Sequence, residues 1–279
     1  MASVSGFAKL WELAALCFNS KVMHSALTLK GFVSDGQPVE DLAREAWLLE
    51  RAGGGEIGLQ LTSWRGPVVV LGYGQQADEA DLEWCRSEGI PVLRRLTGGT
   101  GVIHRGDLGI GLFLPRAHPW AGGIRGLYGR FLEVLEPALR GLGAKVTRIE
   151  EPRPASRVRS PVCFLDQLAD TLVVGTRKAV GCAQTRRRGA VLIHAAVLLG
   201  VDAEMYARVF GESEERVLTG LAPALSGGEP HRVGVAIAEG LASALDLELD
   251  ICRPEPVPAR FLEPYTSDHW APVREGESG

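Results

Sequence analysis

The chain has 279 residues, of which 46% are hydrophobic and 23% are charged, which is typical of a globular protein with a substantial core. Its net charge of −4 provides no overall basic field, so the composition argues against nucleic acid as a partner. The five cysteines form no Cys-x-x-Cys pair, which argues against a disulfide framework and a zinc site and favours a reducing cytoplasm. No apolar run reaches about 18 residues, so the sequence predicts no membrane-spanning segment.

The first half of the chain predicts alternating helices and strands. Leu42, Ala46 and Leu49 in "EDLAREAWLLERAGGG" have helical spacing and precede a glycine run, which predicts a helix. The apolar runs in "GPVVVLGYG" and "GIPVLRRL" predict buried strands. The acidic start of "ADEADLEWCRSEG" predicts a helix between them.

The second half continues the mixture. "LGIGLFLP" and "AKVTRIE" predict strands, and the apolar face from Ile124 to Leu142 predicts a helix kinked at Pro137. Two apolar runs joined by the basic turn "QTRRRG" predict a hairpin. "VGVAIAEGLASALDLELDI" has a helical pattern, and "VREGESG" at residues 273–279 predicts a disordered tail. These elements indicate a mixed α and β protein.

The stretch "RRLTGGTGVIHRGDLG", residues 94–109, has the strongest local signature. Its glycines match neither a dinucleotide fingerprint nor a P-loop. They would let backbone N–H groups approach an anion or a carbonyl, with Arg94 and Arg95 at the rim. The residues alone leave a phosphate cradle, an acyl pocket and an ordinary hairpin turn open.

Cys163 and Lys178 are candidate reactive residues. A cysteine attacks as its thiolate, and a nearby ammonium lowers the pKa of a thiol, so the two would form an acyl-transfer pair if the fold brought them together. The alternative is an inert core cysteine and a lysine in a solvent-facing turn.

Four segments carry a family resemblance. "RRLTGGTGVIH" and "LVVGTRKAVGCAQTRRRGAVLIH" resemble the paired signature of lipoate-protein ligases and octanoyltransferases, "LQLTSWRGPVVVLGYGQ" resembles their Trp-x-Pro strand, and "YTSDHW" resembles their C-terminal motif. The resemblance implies a biotin/lipoyl ligase-like fold of the α+β (α/β) class, with mixed sheets packed by helices. It covers one catalytic domain, residues 28–272, with a short helical C-terminal part. The resemblance leaves residues 1–27 without a counterpart, as an N-terminal extension of unclear role or the result of a misplaced start.

The resemblance also implies roles for individual residues. It places an acyl chain beside the glycine loop and Lys178 against the acyl carbonyl or phosphate. Cysteine-dependent transferases carry a Cys-Phe pair before this lysine, as Cys163 and Phe164 do here, so Cys163 is predicted as the nucleophile and Cys182 as a competing thiol. The substrate-binding residues it implies are Arg94, Arg95, Thr97, Gly98, Gly99, Thr100, Gly101, His104, Gly181, Ala183 and His194. On the residues alone, His104 and His194 have a structural role as the alternative.

Three positions depart from the family pattern. Arg105 follows His104 where relatives often have Asp, Gly111 replaces a polar residue, and Ala196 replaces the Ser of a common His-Gly-Ser. Fewer polar groups remain to hold a nucleotide, which favours acyl transfer over adenylation.

The function implied is transfer of an octanoyl or lipoyl group from acyl carrier protein, through a Cys163 thioester, to a lysine of a lipoyl domain or glycine-cleavage H protein. We expect a cytoplasmic enzyme without a metal or other cofactor. One alternative is a lipoate-protein ligase that uses ATP and Mg²⁺, and a second is a non-catalytic acyl-binding member of the family. We expect Arg94 and Arg95 at the mouth of the acyl tunnel to steer acidic partners, together with Arg186, Arg187 and Arg188, although a solvated turn also explains the last three.

Overall fold

The computed structural model describes residues 28–34, 36–149, 161–162, 171–211, 219–221, 225 and 230–274. The strands are β1 (Thr28–Ser34), β2 (Gly58–Ser63), β3 (Val68–Leu71), β4 (Val92–Arg94), β5 (Val102–His104), β6 (Leu108–Pro115), β7 (Thr147–Arg148), β8 (Leu172–Val174), β9 (Arg177–Arg187), β10 (Ala190–Val197) and β11 (Glu248–Cys252). The helices are α1 (Pro38–Gly53), α2 (Leu82–Ser87), α3 (Ile124–Gly141), α4 (Ala203–Phe210), α5 (Pro230–Leu245) and α6 (Ala259–Leu262).

The strands form two sheets. The large sheet has eight strands in the order β11, β1, β2, β6, β10, β9, β8, β7, and the small sheet has three in the order β4, β3, β5. β1 is parallel to both of its neighbours, β11 and β2. From β2 onward, through β6, β10, β9, β8 and β7, each successive pair of strands is antiparallel. This mixed α+β architecture confirms the predicted fold class.

Both faces of the large sheet are covered by other elements. Alternate residues of each strand point to opposite faces, so each strand contributes side chains to both contacts. Leu59 and Leu61 of β2 belong to the main core with Phe131 of α3 and Ile237 of α5. The opposite face turns towards α1 and the small sheet, and it carries Gln60 and the other residues of the cavity described below.

Most predicted elements are confirmed. α1, β6 and α3 match the three segments predicted from Glu40, Leu108 and Ile124 onward, and β9 and β10 form the predicted hairpin. Arg188 and Gly189 make the hairpin turn, with φ of 50° and 77°. In "AKVTRIE" the strand is limited to β7, which has two residues.

The end of the long C-terminal helical pattern was predicted wrongly. α5 ends at Leu245, Asp246 has φ of 57°, and β11 follows as a strand parallel to β1. The edge of β1 offers unpaired backbone groups that outweigh the local helical preference of "LELDI". Near the C-terminus, Val273 is buried and its carbonyl accepts a hydrogen bond from the Val92 N–H at 3.0 Å, so ordered chain continues past Pro272.

Candidate functional site

A cavity lies on the large sheet, beneath α1 and the small sheet. The strand register sets two rows of residues side by side across β2, β6, β10 and β9. The first row is Gln60, Gly111, His194 and Ala183, and the second is Thr62, Gly109, Ala196 and Gly181. Glycine or alanine fills five of the eight positions, which leaves a floor with almost no side-chain bulk.

The floor defines a trench that crosses the strands. From β9 to β2 there are three inter-strand spacings, or roughly 14 Å. The cavity volume is about 50 Å³. The roof contributes Leu42 and Glu45 from α1, with Val70 and Val102 from the small sheet. A long, narrow and largely apolar trench suits an extended alkyl chain.

The β2 end of the trench is polar, and we call Gln60, Thr62 and Trp64 its end wall. The Gln60 side-chain N–H₂ donates to the Asp41 carbonyl at 3.0 Å and to Thr62 Oγ1 at 3.1 Å. The Trp64 ring stacks on His104, with centroids 4.7 Å apart and an interplanar angle of 11°.

Arg94 and Arg95 do not lie at the mouth of the trench, so that prediction was wrong. They are 3% and 4% exposed, and both guanidinium groups donate to backbone carbonyls. Arg94 binds the carbonyls of Gly72, Gln75 and His269 at 2.8, 2.6 and 2.9 Å. Fixed carbonyl oxygens compensate for the desolvation of a buried guanidinium. Arg94 therefore ties the C-terminal motif to the small sheet.

Arg95 organises the glycine loop from behind. Its guanidinium donates to the carbonyls of Val70, Gly98 and Thr100 at 3.1, 2.9 and 2.9 Å. Gly99 has φ of 93°, which favours glycine. Among the described residues lining the trench, Arg95 and His104 come from the predicted set between residues 94 and 104. The glycines here serve close packing of the loop, and their contact with substrate stays a prediction.

A hydrogen-bonded chain links this loop to β10 and α1. The Arg95 Nε–H donates to Thr97 Oγ1 at 3.0 Å, and Thr97 Oγ1 lies 2.8 Å from His194 Nε2. His194 Nδ1 lies 3.3 Å from Glu45 Oε1. A carboxylate only accepts, so with Nδ1–H donating to Glu45 a neutral His194 ring accepts the Thr97 hydroxyl proton at Nε2. We call these four residues the polar chain.

His104 is held neutral by its surroundings. It is 7% exposed and burial lowers its pKa, while Asp107, whose Oδ2 lies 3.7 Å from Nδ1, partly opposes this effect. Asp107 also accepts from the Leu199 N–H at 3.0 Å and fixes the next loop. A neutral ring stacked on Trp64 supports the trench wall.

Lys178 is buried on β9, at 6% exposure, but it is not among the described residues that line the trench. Cys163 lies outside the described residues. Val162, which precedes it, pairs with Gly101, and the Gly101 N–H donates to the Pro161 carbonyl at 2.8 Å. The chain thus reaches the glycine loop immediately before Cys163, and the roles of Cys163 and Lys178 stay predictions. The competing thiol, Cys182, is half-buried and packs against the main core on the other face of the sheet, between Gly181 and Ala183 of the trench floor.

Comparison with known proteins decides the family. A sequence model described as the lipoyl protein ligase A/B catalytic domain matches residues 37–224. The chain belongs to this family.

Similar curated members of the lipoyl ligase family are named octanoyltransferases. The chain is 38% identical over 165 residues to octanoyltransferase LipM of Moorella thermoacetica, covering 57% of this chain and 60% of that protein. It is 31% identical over 235 residues to octanoyltransferase LipM of Kyrpidia tusciae, covering 76% and 85%. These names support a transferase of lipoate metabolism.

Solved structures of the family share the fold. Lipoate-protein ligase A bound with ATP has a TM-score of 0.70 at 21% identity, covering 87% of this chain and 97% of that one. A bipartite lipoate protein ligase, studied with its E2 lipoyl domain from Thermoplasma acidophilum, has a TM-score of 0.66 at 21% identity, covering 88% and 96%. The lipoate-protein ligase fold is thereby confirmed.

The three departures from the family pattern have structural counterparts. Gly111 and Ala196 belong to the trench floor, where a Cβ added at Gly111 would approach the Phe113 ring to 3.2 Å. Arg105 is exposed and forms an ion pair with Asp202. Two of the departures therefore place small residues on the trench floor, and the third faces solvent.

The three arginines of the basic hairpin turn lie in different environments. Arg186 donates to the Ala121 carbonyl at 2.6 Å, Arg187 lies over the Tyr73 ring at 4.1 Å from its centroid, and the side chain of Arg188 is 73% exposed. Steering of acidic partners by this turn stays a prediction.

Among the lining residues that carry polar side-chain atoms, sequence reasoning missed Glu45, Gln60, Thr62 and Trp64. The signal available was the alternation of polar residues in "LQLTSW", which puts positions 60, 62 and 64 on one face of a buried strand. Within the described ranges, no cluster of His, Cys, Asp or Glu has the form of a metal site, and no helix is long and apolar enough to cross a membrane.

Proposed function

We propose that this protein is a cysteine-dependent octanoyltransferase that modifies a lysine on a lipoyl domain or glycine-cleavage H protein. The trench supports this proposal most directly. Its glycine and alanine floor, from Gly181 on β9 to Gly109 on β6, admits an alkyl chain where larger side chains would fill the space. Relatives named octanoyltransferase support an eight-carbon chain as the cargo.

The reaction has two acyl transfers. The Cys163 thiolate attacks the carbonyl carbon of octanoyl-acyl carrier protein, and the carrier sulfur leaves as a thiolate that takes up a proton. The acceptor lysine, as a neutral amine, then attacks the enzyme thioester, forms an amide, loses a proton and releases the Cys163 thiolate. Atoms and charge balance without ATP, a metal or an organic cofactor.

Lys178 has an electrostatic role in this scheme. Its ammonium would stabilise the oxyanion of each tetrahedral intermediate and relay the proton that the acceptor amine loses. The pairing of Val162 with Gly101 supports Cys163 as the nucleophile, because that segment meets the glycine loop one residue before the cysteine.

The first test is intact-protein mass spectrometry after mixing the enzyme with octanoyl-acyl carrier protein without ATP. We expect wild type and the matched control Cys182→Ala to gain one octanoyl group, and Cys163→Ala to gain none. Lysine acylation on an added lipoyl domain should follow in wild type.

Other results would assign other functions. No mass gain in wild type would refute the transferase with this donor. Lipoyl transfer that requires lipoate with Mg-ATP would then identify a ligase. Octanoate binding without transfer to any acceptor would identify a non-catalytic member of the family.

A further inference from the structure

A second cavity lies between α1, the β9–β10 hairpin turn and the C-terminal motif. Its volume is about 350 Å³, which is within the usual range of small-molecule sites. Its floor is apolar and includes Leu96 and Tyr265, both buried. We call this cavity the basic pocket, because three arginines line its rim: Arg187, Arg188 and Arg260.

The rim of the basic pocket holds two guanidinium groups side by side. Arg188 Nη1 lies 3.7 Å from Glu50 Oε2, and Arg260 Nη2 lies 2.6 Å from Glu50 Oε1, so one carboxylate of α1 orients both side chains. Arg187 lies over the Tyr73 ring, 4.1 Å from its centroid. Three guanidinium groups and one carboxylate leave the described lining residues with a net charge of +2.

The two ion pairs of Glu50 leave the arginines able to bind a second anion. The side chains of Arg188 and Arg260 are 73% and 64% exposed, and ion pairs between exposed side chains contribute little to stability. A guanidinium carries five N–H donors in a planar fork, which matches the oxygens of a phosphate group. The basic pocket therefore suits a ligand that joins a phosphate to an apolar segment.

The basic pocket lies on the same face of the large sheet as the trench. Ala183 of the trench floor and Arg187 are four residues apart on β9, so they point to one face and lie roughly 13 Å apart. Thr185, which lies between them on that face, is only half-buried. A surface open to solvent thus leads along β9 from the basic pocket to the trench.

This separation distinguishes between the two protein substrates of an acyl transfer. An acceptor lysine extends only roughly 6 Å from its own backbone and carries no phosphate. Acyl carrier protein holds its thioester on a 4′-phosphopantetheine arm, with about thirteen bonds between phosphorus and sulfur, or roughly 15 Å when extended. The arm of the donor therefore fits both the distance and the charge.

We propose that the basic pocket binds the phosphate of the 4′-phosphopantetheine arm on the donor acyl carrier protein, so that the arm lies along β9 and brings its thioester to the trench. Arg188 and Arg260 bind the phosphate, and the apolar floor contacts the two methyl groups of the arm beside it. This inference rests on the proposed function, because it takes the donor to be an acyl carrier protein.

The test compares the binding of 4′-phosphopantetheine and pantetheine, which differ only in the phosphate, to the full chain by isothermal titration calorimetry. We expect wild type to prefer 4′-phosphopantetheine at least tenfold. Arg188→Gln and Arg260→Gln should each reduce this preference about fivefold, and the double variant should abolish it. Arg208→Gln is the matched control and should keep the wild-type preference, since Arg208 is 55% exposed, pairs with Asp81 and lies over the Trp84 ring.

Holo- and apo-acyl carrier protein, which differ only in the arm, identify the source of the phosphate. By surface plasmon resonance, the double variant should bind holo-acyl carrier protein about tenfold more weakly than wild type does, and apo-acyl carrier protein as wild type does. Coenzyme A contains the same arm without the carrier. A dependence on Arg188 and Arg260 that is seen for coenzyme A and not for the holo carrier would overturn the carrier as the source.

Three further results would overturn the subsite. The first is equal affinity of wild type for 4′-phosphopantetheine and pantetheine, or no binding of either. The second is an unchanged preference in the double variant. The third is an equal loss of affinity for the holo and apo carriers, which would show that the arginines contact the surface of the carrier instead of its arm.

An acylation assay with octanoyl-acyl carrier protein separates this subsite from the proposed function. Acylation of wild type without any preference for the phosphate would leave the transferase standing without the subsite. A preference for the phosphate that depends on Arg188 and Arg260, without any acylation, would leave the subsite standing without the transferase.

Discussion

Asp41 is a buried carboxyl directly behind the end wall, and replacing it with Asn should stabilise the protein in a pH-dependent way. It lies in the first turn of α1, 1% exposed, and its backbone carbonyl accepts from the Gln60 side chain. Burial raises the pKa of Asp41 from 3.8 to about 7, although the Ser34 hydroxyl and the Arg44 guanidinium offset part of the rise.

The direction in which stability changes with pH follows from the raised pKa of Asp41. The folded protein binds the Asp41 proton more tightly than the unfolded chain, so the stability associated with protonated Asp41 is complete below pH 3.8 and is lost as pH rises to about 7. A pKa shift of this size corresponds to a change of about 4 kcal/mol in the free energy of unfolding over the whole pH range. About 3 kcal/mol of this change falls between pH 5 and pH 8.

Urea unfolding of wild type and Asp41→Asn at pH 5, 6, 7 and 8 measures this difference. We expect the free energy of unfolding of the variant, relative to wild type, to increase by about 3 kcal/mol over that interval. Asp250→Asn, at an exposed position of β11, is the control and should show no such trend. A difference between Asp41→Asn and wild type that stays constant to within about 0.5 kcal/mol would refute the reasoning.

Three further predictions concern the loop and the trench. Thr97→Val removes the hydroxyl between Arg95 and His194, so the rate of octanoyl transfer should fall about tenfold, whereas Thr97→Ser should retain it. Ala196→Leu adds bulk to the floor, so mass spectrometry with competing donors should show hexanoyl favoured over octanoyl. Gly72→Ala should lower the free energy of unfolding in urea by about 2 kcal/mol, because the new Cβ would overlap the Gly99 carbonyl oxygen.

Matched substitutions elsewhere test whether these effects are specific. Thr147→Val should leave octanoyl transfer unchanged, and Ala207→Leu on the exposed side of α4 should leave chain preference unchanged. Gly126→Ala on α3 has open space for its Cβ and should not destabilise the protein. Equal losses in Thr97→Val and Thr97→Ser, an unshifted donor preference in Ala196→Leu, or wild-type stability in Gly72→Ala would contradict the respective prediction.

The elements that the sequence predicted well are those with strong local patterns. β6 is an apolar run bounded by a glycine-containing turn and Pro115, and α1 has helical apolar spacing followed by glycines. The segment that became β11 has no such independence, since its strand conformation requires β1 as a partner. The resemblance of the glycine loop and the Lys178 segment to known motifs likewise needed only residues close together in the chain.

The sequence by itself determined the family, the mixed α and β architecture, and the alternation that puts Gln60, Thr62 and Trp64 on one face of a strand. The tertiary structure decided what these residues do. Gly109, Ala196 and Gly181 form one floor because antiparallel pairing sets their strands in register over long separations. The burial of Arg94 depends on carbonyls such as that of His269, which is 175 residues away along the chain. Local preferences specify helices, strands and turns, whereas a cavity and a buried charge arise from contacts between distant segments.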